Sequence, residues 1–388
     1  MPKIARRVAQ FGTNVFTEIN VLATKHKSIN LGQGKPEFDG PAPIMAAFVD
    51  TLQSGQHNQY APVPGSVNLR RAVANHANVS YGLDVDAENG VLVTPGATNA
   101  LFSTTTGLVD PGDEVIVIEP FFDTYVPNIL MLGAKPVFVP LHPPKWTFDS
   151  DELRAAFNPK TRAIILNTPH NPTGRVFTLA ELMMIAELCK EFDVTVISDE
   201  VYEHLLFDDA KHIPIASLPG MFERTVTIGS AGKTFGMTGW KIGWVYGPQE
   251  LINGVIGAHQ FMTFAVNHPA QEAVAHGFTL KEELAAYYAR YAVKRDLMMQ
   301  GLEAGGLNIS IPEGTYFVTA DFSDIFDGDD IEFARYLTAE IGVSCIPPTA
   351  FFSAEHKHIA SKYARFAFCK HDETLHQAAE RLATLEKR

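Results

Sequence analysis

From about Val91 onward, short apolar runs alternate with longer amphipathic stretches. The pattern predicts strands at Val91–Val93, Glu114–Ile118, Pro136–Val139, Ala163–Leu166, Thr195–Ile197, Thr225–Ile228 and Lys241–Val245. These runs are rich in Val and Ile and lack polar alternation, which is the signature of strands covered on both faces. Helical periodicities such as Leu179–Phe192 lie between most of them. An α/β fold follows, with a large domain built on a mostly parallel, seven-stranded sheet.

After Pro248 the texture changes. Leu251–Gln300 reads as mainly helical, with a break near Asn267-His268-Pro269. Short strands at Tyr316–Asp321, Ser344–Ile346 and Arg365–Cys369 then alternate with helices near Ile331–Ile341 and from Glu373. That mixture predicts a smaller α+β domain. The division expected is residues 46–277 for the large domain, 278–388 for the small one, and an N-terminal segment, 1–45, that packs with the small domain. Internal repeats and low-complexity tracts are absent.

Composition narrows the functional classes. The chain has 388 residues, 46% of them hydrophobic, and a formal net charge of −13. Its basic residues are scattered rather than gathered in a stripe, which argues against nucleic acid as a partner. Cys189, Cys345 and Cys369 are too far apart for a CxxC site, so neither a disulfide framework nor a metal site is expected. The basic start, Met1 to Arg7, is followed by no apolar signal region, and no apolar run of about 18 residues suggests a membrane span. A cytoplasmic protein is expected.

In open parallel sheets, ligands bind at the carboxyl ends of the strands. Four polar clusters fall there: Gly96-Ala97-Thr98, the run from Asn167 to Gly174, Ser198 to Tyr202, and Ser230 to Thr234. Taken singly, each has an ordinary reading. Asn171-Pro172-Thr173-Gly174 is a turn sequence, Asp199 could cap a helix, and a lone lysine is usually solvated. Lys233, however, directly follows a strand in a small, uncharged setting, where desolvation lowers an amine's pKa. Three motif matches around these residues fail. Ser230-Ala231-Gly232-Lys233 fits S-x-x-K but lacks its companion elements. Gly232-Lys233-Thr234 ends like a P-loop whose first glycine would be Thr227, and Gly32-Gln33-Gly34 meets Glu37 where a third glycine is required.

Seven motifs in order carry a more specific likeness: Leu31 to Gly34, Asn58-Gln59-Tyr60, Glu119 to Tyr125, Asn171 to Gly174, Asp199 to Tyr202, Ser230 to Trp244, and Arg365 to Phe368. Over Phe11 to Leu385 the chain resembles the class I/II, fold-type I aminotransferases that use pyridoxal 5'-phosphate. It is most similar to the kynurenine/glutamine, methionine and N-succinyldiaminopimelate enzymes. The resemblance implies transfer of an amino group between an L-amino acid and a 2-oxo acid by a ping-pong mechanism, and a homodimer with shared active sites.

It also implies roles. Lys233 would anchor the cofactor as a Schiff base and then shuttle a proton. Asp199 would sit beside the pyridine nitrogen, Asn171 and Tyr202 beside the ring's phenolic oxygen, and Phe122 on the ring face. Ala97, Thr98, Ser230 and Lys241 would hold the phosphate, with Tyr60 reaching the phosphate of the neighbouring subunit. Arg365 would grip the substrate carboxylate, helped by the close backbone at Gly34; a salt bridge to an inner carboxylate is its plainer alternative. Phe16 and Tyr125 would line the side-chain pocket, with Phe264 entering from the partner chain, favouring a sizeable apolar or aromatic substrate. Thr98 and Ala265 depart from the tyrosine and histidine of several kynurenine enzymes, and Lys35 stands where an aromatic is common. Lys35 reads first as a solvated surface residue; the alternative is that it favours an acidic or extended substrate such as succinyl-diaminopimelate. A β-lyase acting on cysteine conjugates would use the same lysine. A non-enzymatic regulatory module is disfavoured, since no basic patch or helix-turn-helix pattern precedes Phe11.

Overall fold

The computed structural model describes residues 4–9, 11–12 and 15–387. Parts of the predicted N-terminal segment, residues 1–3, 10, 13 and 14, lie outside the described residues.

The main sheet is formed by β1 (Val91–Thr94), β2 (Glu114–Glu119), β3 (Lys135–His142), β4 (Thr147–Phe148), β5 (Thr161–Asn167), β6 (Thr195–Asp199), β7 (Thr225–Ser230) and β8 (Gly243–Tyr246). Their spatial order is β1-β8-β7-β6-β5-β2-β3-β4. The seven expected strands are all present, and the two-residue β4 adds an eighth by pairing antiparallel with β3. The run β7-β6-β5-β2-β3 is parallel throughout. β8 runs antiparallel to both of its neighbours, β1 and β7.

Continuous apolar strands need cover on both faces, and they receive it. Ile116, Ile164, Leu166 and Val196 pack with Leu182, Ile185 and Cys189 of the helix Leu179–Glu191. That helix opens with a capping box between Thr178 and Glu181. On the opposite face Val117, Ile165, Ile197 and Ile228 share a core with Leu101 of the helix Ala97–Leu108 and with Ile252 and Val255 of the helix Gln249–Met262. These two helices touch backbone to backbone. A Cβ on Gly107 would stand 2.4 Å from the Gly254 carbonyl oxygen. The close crossing fixes the axis of Ala97–Leu108, and hence where its N-terminus points.

The predicted helical region 251–300 resolves into three helices, Gln249–Met262, His268–Gly277 and Lys281–Ala304. The expected break is there, with Asn267 capping the second helix and Pro269 in its first turn. A second break, at residues 278–280, directly follows Gly277, the last residue of the second helix, and was not anticipated. Beyond, β9 (Asn308–Ser310), β10 (Phe317–Asp321) and β11 (Tyr363–Ala367) form an antiparallel sheet in that order. The predicted strand Ser344–Ile346 is instead Val343–Ser344, paired in parallel with Ile29–Asn30. The N-terminal helix Val15–His26 lies alongside, linked by Glu18 to Arg335 at 3.0 Å. No described helix is long and apolar enough to cross a membrane.

Gly107→Ala should therefore lower stability by about 1–3 kcal/mol, because neither backbone can retreat without disturbing the sheet cover. A denaturant melt would read this as a lower midpoint. An unchanged midpoint would mean that the crossing yields more freely than its geometry implies.

Candidate functional site

The carboxyl ends of β5, β6 and β7 meet a cavity of about 400 Å³. Asn167 and Asp199 end adjacent strands in register, and Ser230 pairs with Gly243 on the antiparallel β8. Because β8 runs the other way, it is its start that reaches this rim. The cavity wall includes Asp199, Tyr202, Ser230, Lys233 and Lys241 from the main sheet. Phe122, Asn171, Ala97 and Thr98 join them from neighbouring loops and the helix start, while Phe16, Gly34 and Arg365 close the opposite side.

At one end lies an anion cradle. Gly96 adopts φ +80° and begins the helix Ala97–Leu108 with no side-chain cap, so the first amides, beginning at Ala97, lack a side-chain acceptor. A Cβ on Gly96 would sit 3.2 Å from Lys241 Nζ, which places the ammonium beside those amides. Lys241 itself is not in a strand, as its sequence neighbours suggested. It takes a left-handed conformation (φ 54°, ψ 47°) after the turn Thr238–Trp240, and β8 begins two residues later. The side chain of Ser230 caps the short helix that carries Lys233, accepting from the Gly232 amide at 3.3 Å.

At the base, Asp199 is buried. Its Oδ2 accepts a 2.7 Å hydrogen bond from Tyr125 Oη, and its backbone carbonyl accepts from Asn167 Nδ2 at 2.8 Å. Burial pushes its pKa up to about 6, against the lowering effect of the Tyr125 hydroxyl and the Val201 amide. It forms no ion pair among the described residues, so a cation placed against it would draw its pKa back down. Tyr125 is a correction to the sequence reading. It does not reach the substrate side of the cavity. At 2% exposure it stands behind Asp199 and holds that carboxylate in place.

Lys233 Nζ donates a 2.5 Å hydrogen bond to Tyr316 Oη, which in turn donates to the Gly34 carbonyl at 2.9 Å. Desolvation lowers the amine to about 8, with Cys369 and Asp199 acting in the opposite direction. Tyr316 was assigned no role from sequence. The only signal was its place at the start of a predicted strand, and a contact with Lys233 across 83 positions has no local signature. Gly34 is confined by the same group, since a Cβ there would lie 2.6 Å from Phe317 and 2.8 Å from Tyr316.

Arg365 is 1% exposed and sits between Asn171 Oδ1 (3.1 Å to Nη1) and the Gly32 carbonyl (2.7 Å to Nη2). Its guanidinium stacks 4.2 Å from the Phe317 ring centroid and 5.2 Å from that of Phe16. Burial lowers its pKa to about 10, which leaves it charged at neutral pH. No inner carboxylate pairs with it among the described residues, and its Nε has no hydrogen-bond partner. Both observations suit a bound anion.

Tyr60, like Tyr125, does not line this cavity. It is 81% exposed and packs edge-on against Phe264, with ring centroids 5.4 Å apart.

Comparison with known proteins agrees with this architecture. Residues 26–382 match the family described as aminotransferase class I and II. The chain belongs to that family, and it is a transaminase dependent on pyridoxal phosphate. It is 41% identical to a kynurenine–oxoglutarate transaminase of Dictyostelium discoideum over 99% of this chain and 97% of that one. The structure of N-succinyldiaminopimelate aminotransferase from Mycobacterium tuberculosis superposes with a TM-score of 0.94 at 45% identity, covering 99% of this chain and 100% of the other. YbdL of Escherichia coli, described as having a methionine aminotransferase function, gives a TM-score of 0.94 at 39% identity, covering 99% and 100%. The residues present fit the cofactor: an uncapped helix start with Lys241 for a phosphate, a buried carboxylate without a cation, and a desolvated amine between them.

With a pKa near 8 rather than the ordinary 10.5, the neutral fraction of Lys233 rises about tenfold per pH unit up to about pH 8 and then levels. Covalent capture of pyridoxal phosphate by cofactor-free protein, followed by visible absorbance after mixing, should show that profile. A rate still climbing at pH 10 would contradict the desolvated setting.

Proposed function

We propose that this transaminase acts on amino acids with sizeable apolar or aromatic side chains, and that the cavity residues divide the work as follows. Pyridoxal phosphate, when bound, supplies a ring that accepts the electron density released at the substrate's Cα. Lys233 anchors it and, once displaced, carries the proton to and from that carbon. Ala97, Thr98, Ser230 and Lys241 hold the phosphate, Asp199 faces the ring nitrogen, and Asn171 and Tyr202 face the ring oxygen. Phe122 covers one ring face. Arg365 binds the substrate carboxylate through its two Nη groups, with Gly34 allowing close approach.

The observation that carries the substrate class is the wall beside Arg365, where Phe16, Phe317 and Tyr316 offer aromatic faces. The similarity to kynurenine and methionine enzymes supports it. One feature favours a second reading: Lys35 is exposed and lines the cavity, where it could meet the distal carboxylate of an extended substrate such as N-succinyldiaminopimelate.

The exposed pair Tyr60 and Phe264, with Phe261 88% exposed beside them in sequence, supports a homodimer in which Tyr60 reaches the partner's phosphate and Phe264 the partner's substrate pocket. The reading further takes 46–277 as the cofactor-binding domain and 278–388 with 1–45 as the smaller unit. It places the protein in the cytoplasm, which suits three buried, unbridged cysteines.

Half-reactions with methionine, glutamine, kynurenine, phenylalanine and N-succinyldiaminopimelate, followed by cofactor absorbance, should rank the apolar and aromatic donors first. A preference for the succinylated substrate that disappears in Lys35→Ala would establish the second reading instead. Arg365→Ala should raise KM for all good donors by roughly 30- to 150-fold, the equivalent of about 2–3 kcal/mol for a charge-assisted pair. An effect confined to one donor would contradict the carboxylate role.

A further inference from the structure

Away from the cavity, two histidines and a carboxylate converge at the start of the helix His268–Gly277. His57 Nδ1 lies 3.2 Å from His268 Nε2, and Glu272 Oε1 lies 3.8 Å from the same nitrogen. All three atoms fall within 4.8 Å of one another. His268 and Glu272 are four residues apart on one helix and so share a face, while His57 arrives from the segment leading to Tyr60.

The remaining polar atoms of this group are occupied in a telling way. His268 Nδ1 stands 3.2 Å from the Gln59 carbonyl oxygen. A carbonyl can only accept, so Nδ1 carries the proton and the neutral ring presents Nε2 as a lone pair. Glu272 Oε2 accepts a 2.6 Å hydrogen bond from Asn68 Nδ2, which leaves Oε1 turned to the histidines. In that tautomer His268 Nε2 and Glu272 Oε1 are both electron-pair donors turned toward the same point as His57 Nδ1. Outer partners of this type are those that orient metal ligands, fixing the imidazole tautomer and the carboxylate rotamer.

We propose that His57, His268 and Glu272 form a zinc-binding site. Ligand bonds of about 2.0–2.1 Å around a tetrahedral centre put donor atoms about 3.3 Å apart, close to the 3.2 and 3.8 Å found. Two imidazoles and one carboxylate suit Zn²⁺ rather than Mg²⁺ or Ca²⁺, which favour all-oxygen sets. The side chains of His268 and Glu272 are 19% and 13% exposed, so the site is sheltered but not sealed. A surface depression at His57, bounded by Asp50 and His276, gives the ion a way in on the side away from Tyr60. A bound ion would pin the segment carrying His57 to the helix and so stiffen the exposed strip ending at Tyr60.

The test uses untagged, cofactor-loaded protein that has been dialysed against a chelator. Titration calorimetry with ZnCl₂ should show one site per chain with a Kd in the micromolar range or below, and MgCl₂ should show none. His57→Gln, His268→Gln and Glu272→Gln should each weaken binding at least about tenfold, and Asn68→Ala about tenfold through the lost outer contact. Zn²⁺ should raise the melting temperature of the wild type but not of Glu272→Gln. Crystals soaked in ZnCl₂, with anomalous data at the zinc edge, place the ion without any variant having to fold. No binding tighter than about millimolar, binding indifferent to all three substitutions, or an anomalous peak elsewhere would each overturn the proposal.

Discussion

Removing charge from water is the constraint on which the rest of this structure depends. Lys233, Asp199 and Arg365 line one cavity, and burial shifts each of them toward neutrality. Each shift has a use. An amine brought down to about 8 can act as a nucleophile and base near neutral pH. A carboxylate that lacks a protein cation is ready to receive one, and a guanidinium that stays charged retains unspent donor capacity for an anion. The protein tolerates these groups because neutral partners orient them without cancelling them: Tyr125 for Asp199, Tyr316 for Lys233, and Asn171 with the Gly32 carbonyl for Arg365. A full ion pair at any of the three would have consumed the property that the site requires.

The scaffold follows from the same need. Three parallel strands deliver Asn167, Asp199 and Ser230 to one rim, while Arg365 comes from the centre of an edge strand of a separate antiparallel sheet, opposite Thr319. The backbone contact between Gly107 and Gly254 sets the axis of the helix whose first amides form the cradle. Packing far from the chemistry thus fixes where the positive end of the helix points.

Much of this was legible in the sequence. The Val/Ile runs gave all seven long strands because strands covered on both faces leave an unambiguous apolar signal. The rim residues were legible because they directly follow those runs. What escaped was what depends on side-chain direction or on sequence-distant contact. Tyr125 carries the same letters whether its hydroxyl faces a substrate or Asp199. Tyr316 meets Lys233 only because two sheets are brought together. The break at residues 278–280 is marked only by Gly277, and a lone glycine inside a helical pattern is a weaker signal than the Asn267-His268-Pro269 run. Two-residue strands such as Thr147–Phe148 are too short to show periodicity at all.

The antiparallel course of β8 has one more consequence. Ser230 ends β7 and Gly243 starts β8, and the two are paired neighbours, so residues 231–242 form a closed loop with both feet on the same rim. Lys233 stands at one foot and Lys241 at the other. Length is therefore constrained here in a way that it is not after Tyr246, where β8 emerges on the far edge of the sheet. One residue added within the loop would shift the anchoring amine and the phosphate-side ammonium relative to each other, whereas one added beyond β8 would leave that spacing intact. The distance between the two ammonium groups is set by chain connectivity, and it acts as a ruler for any ligand that must reach both.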